Sequence, residues 1–166
     1  MTALYVPTDV DEAHAAWKAN CGPCAVAALL GREVNAVRDL FEPWPGYTNP
    51  TKIKEALKRA GKTCVPSSAE ALRTNGLGFV QFEGPWEAGG ARAAYRHTHW
   101  VALARRFSPV PEGMSPRPLL FVYDVAIGSR GGWLPLDFFS RRIIPLYLED
   151  QPKATGWRFR QVLEVV

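Results

Sequence analysis

The chain is poor in cysteine, with three in 166 residues. An odd number cannot pair completely into disulfides, which argues against a disulfide-stapled secreted scaffold. There is no apolar run of the roughly 20 residues that a bilayer-crossing helix needs, no internal repeat and no low-complexity tract. The opening stretch Met1-Thr2-Ala3-Leu4-Tyr5-Val6 lacks both the basic and the long apolar region of a secretory signal. Together these absences predict a reducing, cytoplasmic setting with no membrane partner. A clustered basic stripe is missing too. The formal net charge of +4 comes largely from arginines scattered over the chain, among them Arg105-Arg106, Arg141-Arg142, Arg158 and Arg160, so no nucleic-acid partner is expected. What the chain does have is 47% hydrophobic residues, enough for a sizeable core in one globular domain over residues 1–166.

Helix signals dominate the first half. Asp9 to Asn20 is polar, alanine-rich and helix-like. Asn20-Cys21-Gly22-Pro23-Cys24 then opens the apolar run Ala25-Val26-Ala27-Ala28-Leu29-Leu30, which stops at Gly31. This reads as a buried helix with Pro23 in its first turn and Cys21 at its N-cap. Glu33 to Phe41 carries Val34, Val37, Leu40 and Phe41 at helical spacing. Asn49 and Pro50 start another helix, with Ile53, Ala56 and Leu57 on one face and Gly61 at its end. Ser67 and Glu70 resemble a capping box for a short helix ending at Gly76.

Strand signals take over from there. Leu77–Phe82, His99–Phe107, Leu119–Val125 and Trp157–Val165 are rich in branched and aromatic residues, and loops over Glu83–Tyr95 and Ser108–Pro118 separate them. The expectation is an α+β fold, with N-terminal helices packed on a C-terminal antiparallel sheet.

Three residues carry the chemistry. A thiol at a helix N-terminus sits among unpaired N–H groups at the positive end of the macrodipole, which favours its thiolate, so Cys21 is a candidate nucleophile. His99 begins the run Trp100-Val101-Ala102-Leu103, and Asp124 is the one acid of the apolar strand Phe121-Val122-Tyr123-Asp124-Val125. On neighbouring antiparallel strands an imidazole and a carboxylate can lie directly opposite one another, which supports a Cys21-His99-Asp124 triad. His97 is the rival base and Asp137 the rival acid, while Cys24 and Cys64 read as structural. Trp44, Trp86 and Trp133 stand in loop-like stretches that suit a cleft, and Trp100 points away from His99 as packing.

Two other chemistries use the same atoms. Cys-Gly-Pro-Cys is the thioredoxin redox motif, but the polar segment before it and the helices-then-sheet order do not provide a βαβ unit. Cys21, Cys24, His97 and His99 have the atoms of a Cys₂His₂ zinc site, but a helix that starts inside the Cys-X-X-Cys differs from the usual knuckle turn. Neither a metal nor another cofactor is expected.

Asn-Cys-Gly-Pro-Cys before small apolar residues, then His-Trp-Val-Ala-Leu, then Tyr-Asp-Val, resembles the papain-like cysteine peptidase superfamily. The nearest form is its compact branch, which includes the bacteriocin-processing, double-glycine-leader peptidases. The resemblance covers roughly residues 14–135. It implies Cys21 as nucleophile, His99 as base, Asp124 as orienting acid, and a peptide or protein substrate cleaved through an acyl-enzyme. The family commonly supplies an oxyanion-hole glutamine upstream of the nucleophile, where this chain has Ala15. Substitutes are the Cys21 backbone N–H and the side chains of Asn20, Lys18 or His14. Acyl transfer to an amine, as in transglutaminase-like relatives, is the enzymatic alternative. Ala15 motivates a third reading, a binding module that kept the fold and lost the activity.

Overall fold

Ala13 and Trp17 lie one helical turn apart and are both buried, which makes a helix (α1, Val10–Trp17) of an otherwise polar segment. These elements come from a computed structural model that describes residues 4–108 and 112–166, so residues 109–111 of the Ser108–Pro118 loop lie outside the described residues. Helix α2 (Cys21–Leu30) is buried from Gly22 to Ala28. Its N-cap is Asn20, whose side chain accepts from the Gly22 N–H at 3.1 Å. Cys21 is therefore the first helical residue and not the expected cap. The correction has a simple cause, since an amide oxygen one residue upstream outcompetes a thiol for the orphan N–H groups. Gly31 closes α2 at φ +66°, and the Arg32 N–H returns to the Ala27 carbonyl at 3.0 Å.

The segment expected as a helix over Glu33–Phe41 forms a 3-10 helix, Asn35–Phe41, that buries Val37 and Phe41. The Asp9 carboxylate starts it by accepting from the Val34 and Asn35 N–H groups. Helix α3 (Pro50–Arg59) matches expectation, down to Asn49 accepting from the Lys52 N–H at 2.9 Å.

The capping box at Ser67 and Glu70 does not form a helix. Ser67 ends a strand (β1, Cys64–Ser67), and Ser68 caps only a turn by accepting from the Ala71 N–H. Gly76 is likewise not a helix terminus but lies in β2 (Asn75–Glu83), where a Cβ would collide with the Leu163 carbonyl oxygen.

The four strands read from the sequence appear as β2, β3 (Thr98–Phe107), β4 (Pro118–Asp124) and β6 (Gly156–Val165). Two short strands, β1 and β5 (Gly132–Pro135), extend them to a six-stranded sheet in the order β1-β6-β2-β3-β4-β5. Every pairing is antiparallel, which rules out the parallel βαβ core of a thioredoxin. Alternation along the strands divides the core. Phe79, Trp100, Ala102, Tyr123 and Leu163 meet α1, α2 and α3 on one face. Val80, Val101, Leu103, Val122 and Val162 meet Phe139 and Ile144 on the other. Those two belong to a helical segment made of α5 (Leu136–Phe138, after the Ala91–Tyr95 helix α4), a π-turn (Phe139–Ile143) and α6 (Ile144–Glu149). Helices thus cover both faces and are not confined to the first half. No described helix is long and apolar enough to cross a membrane.

Small residues let α2 approach its neighbours closely, and Gly22 is the tightest point. A Cβ there would lie 2.7 Å from the Thr48 Cβ and closer still to its hydroxyl. Gly→Ala inside a helix normally gains up to about 1 kcal/mol. At Gly22 the clash reverses the sign, and Gly22→Ala is expected to destabilise by about 1–3 kcal/mol in denaturant titration. Adding Thr48→Ala restores only part of that, because the Thr48 Cβ contact remains.

Candidate active site

Strand β3 starts before its pairing with β4 does. The first paired residues are Ala102 and Tyr123, so the Thr98–Val101 end of β3 runs past the end of β4. Continuing the register sets Asp124 opposite Val101, which makes His99 and Asp124 a diagonal pair and not the directly opposite one expected. The bond forms all the same: His99 Nε2 lies 2.8 Å from Asp124 Oδ1. His99 shares a strand face with Val101 and Leu103. Trp100 faces the other way, stacked on Phe79 with ring centroids 4.4 Å apart, and its backbone N–H donates to Cys21 Sγ at 3.4 Å. The first residue of α2 is thereby held against the start of β3.

Asp124 is fully buried and accepts from three donors. Besides His99, the Ala126 N–H donates to Oδ1 at 2.9 Å and the Tyr147 hydroxyl to Oδ2 at 2.7 Å. A carboxylate so placed only accepts, so His99 carries a proton on Nε2, directed at Asp124. Burial pushes the Asp124 pKa up, but the His99 hydrogen bond and charge, with the other donors, hold it below the usual carboxylate value. The same contest decides Cys21. Burial raises the thiol pKa, and the His99 charge and hydrogen bond, aided by the Trp100 N–H, bring it below the ordinary value. For His99, burial favours the neutral ring, yet the Cys21 charge and the Asp124 hydrogen bond raise its pKa to about 10. Both shifts favour the thiolate–imidazolium form of the pair, a form suited to attack on an electrophilic carbonyl. One turn along the same helix, burial pushes the Cys24 thiol up to about 12.

The remaining sequence candidates lie elsewhere. His97 stacks on Trp86 at 3.7 Å between centroids and bonds Gln151 Oε1 through Nδ1 at 2.8 Å, away from the thiol. Asp137 is exposed and pairs with Arg141. Cys64 is half-buried in β1. Among the described residues no group of three or more His, Cys, Asp or Glu converges as metal ligands.

Of the oxyanion candidates, Asn20 directs its side-chain oxygen to Gly22 and its amide nitrogen to the Gly46 carbonyl at 3.4 Å. Lys18 is exposed at the end of α1 with φ 60°. His14 is exposed, with Nδ1 3.1 Å from the Ala19 carbonyl. A carbonyl only accepts, so that nitrogen holds the ring proton, and the other nitrogen can donate only when the imidazole is charged. Ala15 is exposed. The Cys21 backbone N–H, an orphan of the first helical turn, remains a free donor.

Trp44 packs edge-on against Trp17 and Phe41. Trp86 and Trp133 use their indole N–H groups on the Phe82 and Tyr5 carbonyls. Trp44 and Trp86 serve packing here, whereas Trp133 lines a cavity of about 450 Å³ together with Tyr5, Leu29 and Arg105. Sequence reasoning missed Tyr147. Its hydroxyl reaches Asp124 and lies 3.5 Å from His99 Nε2. Only the fold of the C-terminal helical segment brings it there.

Two outcomes follow for solution work. Iodoacetamide at about pH 6.5 should alkylate Cys21 well ahead of Cys24, and His99→Ala should slow that reaction about tenfold or more by removing the cation, as read by peptide mass spectrometry. Tyr147→Phe leaves Asp124 Oδ2 buried without a donor and should cost about 1–3 kcal/mol of stability. A carboxyl whose folded pKa is depressed stabilises above its unfolded value and loses that contribution as pH falls through the folded one. Losing a donor raises the folded value, so acid unfolding of Tyr147→Phe should begin at higher pH than in the parent protein.

No family model and no curated protein sequence matches this chain. In three dimensions it is similar to the peptidase domain of Streptococcus ComA, a bi-functional ABC transporter involved in a quorum sensing pathway. The TM-score is 0.50, with 15% identity over 99% of this chain and 98% of that one. At that identity the likeness is one of fold: the protein has the α+β architecture of a papain-like peptidase domain.

Proposed function

We propose that the protein is a cysteine hydrolase, foremost a peptidase, that cleaves an amide or isopeptide bond in a peptide or protein. The observation that carries this reading is the seating of Cys21 Sγ 3.4 Å from the Trp100 backbone N–H, next in the chain to His99, whose imidazole is backed by a fully buried carboxylate at 2.8 Å. The Cys21 thiolate attacks the carbonyl carbon, and the carbonyl oxygen takes up the negative charge within reach of the Cys21 N–H. His99 gives its proton to the departing amine as the C–N bond breaks, leaving a thioester on Cys21. Neutral His99 then draws a proton from water, whose oxygen attacks the thioester. The acid leaves, and the thiolate and imidazolium are restored. Asp124 stays ionised throughout and keeps the ring oriented. The ComA likeness supports the reading through fold.

Ala15 favours a second reading, a domain that binds peptides without cleaving them. Removing one oxyanion donor typically costs about a hundredfold or more in rate. A mixture of N-acetylated peptide amides incubated with the protein and analysed for new termini separates the two. Cleavage by the parent protein that is lost in both Cys21→Ala and His99→Ala supports the hydrolase. Cleavage that persists in Cys21→Ala refutes it. A reactive Cys21 with peptide binding and no new termini favours the binding domain. Peptide joined to an added amine in place of water identifies acyl transfer.

A further inference from the structure

A groove of about 830 Å³ opens between the Tyr47–Thr51 run, which leads into α3, and the α4 region with Arg92, Tyr95 and Arg96. Its two walls connect to the segments that carry the thiol and the imidazole. Thr48 packs against Gly22 and donates to Asn20 Oδ1 at 3.4 Å, next to Cys21. Tyr95 accepts from the Thr98 hydroxyl at 2.7 Å through its carbonyl, next to His99.

The charged residues that line this groove are Arg92 and Arg96, and no acid lines it. Among the described residues neither arginine has a carboxylate partner, whereas Arg38, Arg141 and Arg158 each do. The two lie one helical turn apart, a spacing at which like charges repel. A third guanidinium, Arg160, sits over the Tyr95 ring at 4.9 Å. The wall is thus electropositive, and a carboxylate completes it, because the planar fork of a guanidinium matches the two oxygens of a carboxylate. Tyr47, 56% exposed, adds apolar surface for the stem of such a side chain.

The geometry points to this groove as a specificity subsite: an extended substrate segment lies in it, with an Asp or Glu side chain between Arg92 and Arg96 within a few residues of the bond held at Cys21. The assignment deepens the hydrolase reading and rests on it for calling the occupant a substrate.

The test measures binding apart from cleavage. Fluorescently labelled, C-terminally amidated peptides carrying Glu, Gln or Lys at each position in turn are titrated into the Cys21→Ala protein by anisotropy. Glu at one position or two neighbouring ones should bind about fivefold tighter than Gln, and tighter again than Lys. The preference should shrink when salt rises from about 0.05 M to about 0.5 M. Adding Arg92→Glu and Arg96→Glu should turn the preference toward Lys. Should that reversal disturb folding, Arg92→Gln with Arg96→Gln should abolish the preference. Equal binding of all three peptides, no binding at all, or a Glu preference that survives the glutamine pair would overturn the assignment. Glu-selective binding with no cleavage by the parent protein would sink the hydrolase reading and leave the subsite standing. Cleavage without acidic preference would do the reverse.

Discussion

A carboxylate with no solvent exposure is tolerable only where donors surround it, and the arrangement around Asp124 follows from that requirement. Its three donors come from three separate places: the start of β3, the turn after β4, and α6. Satisfying one buried charge therefore ties the exposed end of the sheet to the C-terminal helical segment. The offset of β3 past the end of β4 makes this possible, since an imidazole in a fully paired strand would have neighbours on both sides and no room to meet a thiol. What looks like an irregular strand end is the space the site occupies.

The two cysteines of α2 show how completely surroundings decide reactivity. Cys21 and Cys24 lie on one helix, one turn apart, and share its macrodipole. Yet one thiol is lowered and the other raised to about 12. The difference is His99. Desolvation opposes ionisation at both sites, and only Cys21 has a cation to reverse it. The helix N-terminus, the feature that made Cys21 conspicuous in the sequence, thus acts as an auxiliary. It provides orphan N–H groups and a fixed position, while the charge state comes from a residue on the far side of the packing interface.

Much of this was legible in the chain because local chemistry and long-range structure agreed. Alternating branched and aromatic residues marked β2, β3, β4 and β6 to within a residue or two, since the same alternation faces two hydrophobic cores. Asn49-Pro50 marked α3 because an Asx cap followed by proline has few other uses. The failures came where a distant partner overrode a local signal. Ser67 and Glu70 have helix-capping spacing, but pairing of Cys64–Ser67 with β6, close to the far end of the chain, takes the segment into the sheet. Leu136, Phe139, Ile143 and Tyr147 recur at helical spacing and pack on one sheet face, a signal the sequence reading did not take up, in a segment broken by Pro145 and a π-turn over Phe139–Ile143. Tyr147 went unnoticed with the stretch that carries it. The triad residues themselves were legible as types in order. Their diagonal geometry was not, because register depends on where β4 stops.

Under the proposed hydrolase reading, the reactivity of the thiol and the rate of turnover rest on different parts of the molecule. Ionisation of Cys21 needs only His99, Asp124 and the donors that hold them, and all of these are in place. Turnover also needs charge stabilised on the substrate oxygen, and here the chain departs from the pattern it resembles. Alanine stands at residue 15, Asn20 is turned to its own cap and loop, and the His14 ring can donate from its free nitrogen only when protonated. On that reading the Cys21 N–H carries most of that load among the described residues, a combination that lets the thiol be reactive while hydrolysis is slow. Slow chemistry raises the weight of substrate positioning, because binding energy that holds the scissile bond against the thiolate substitutes for a missing donor. On that reading a groove walled by Arg92 and Arg96, which have no carboxylate partner among the described residues, is where such positioning energy is available, and selectivity and rate would then depend on the same contacts.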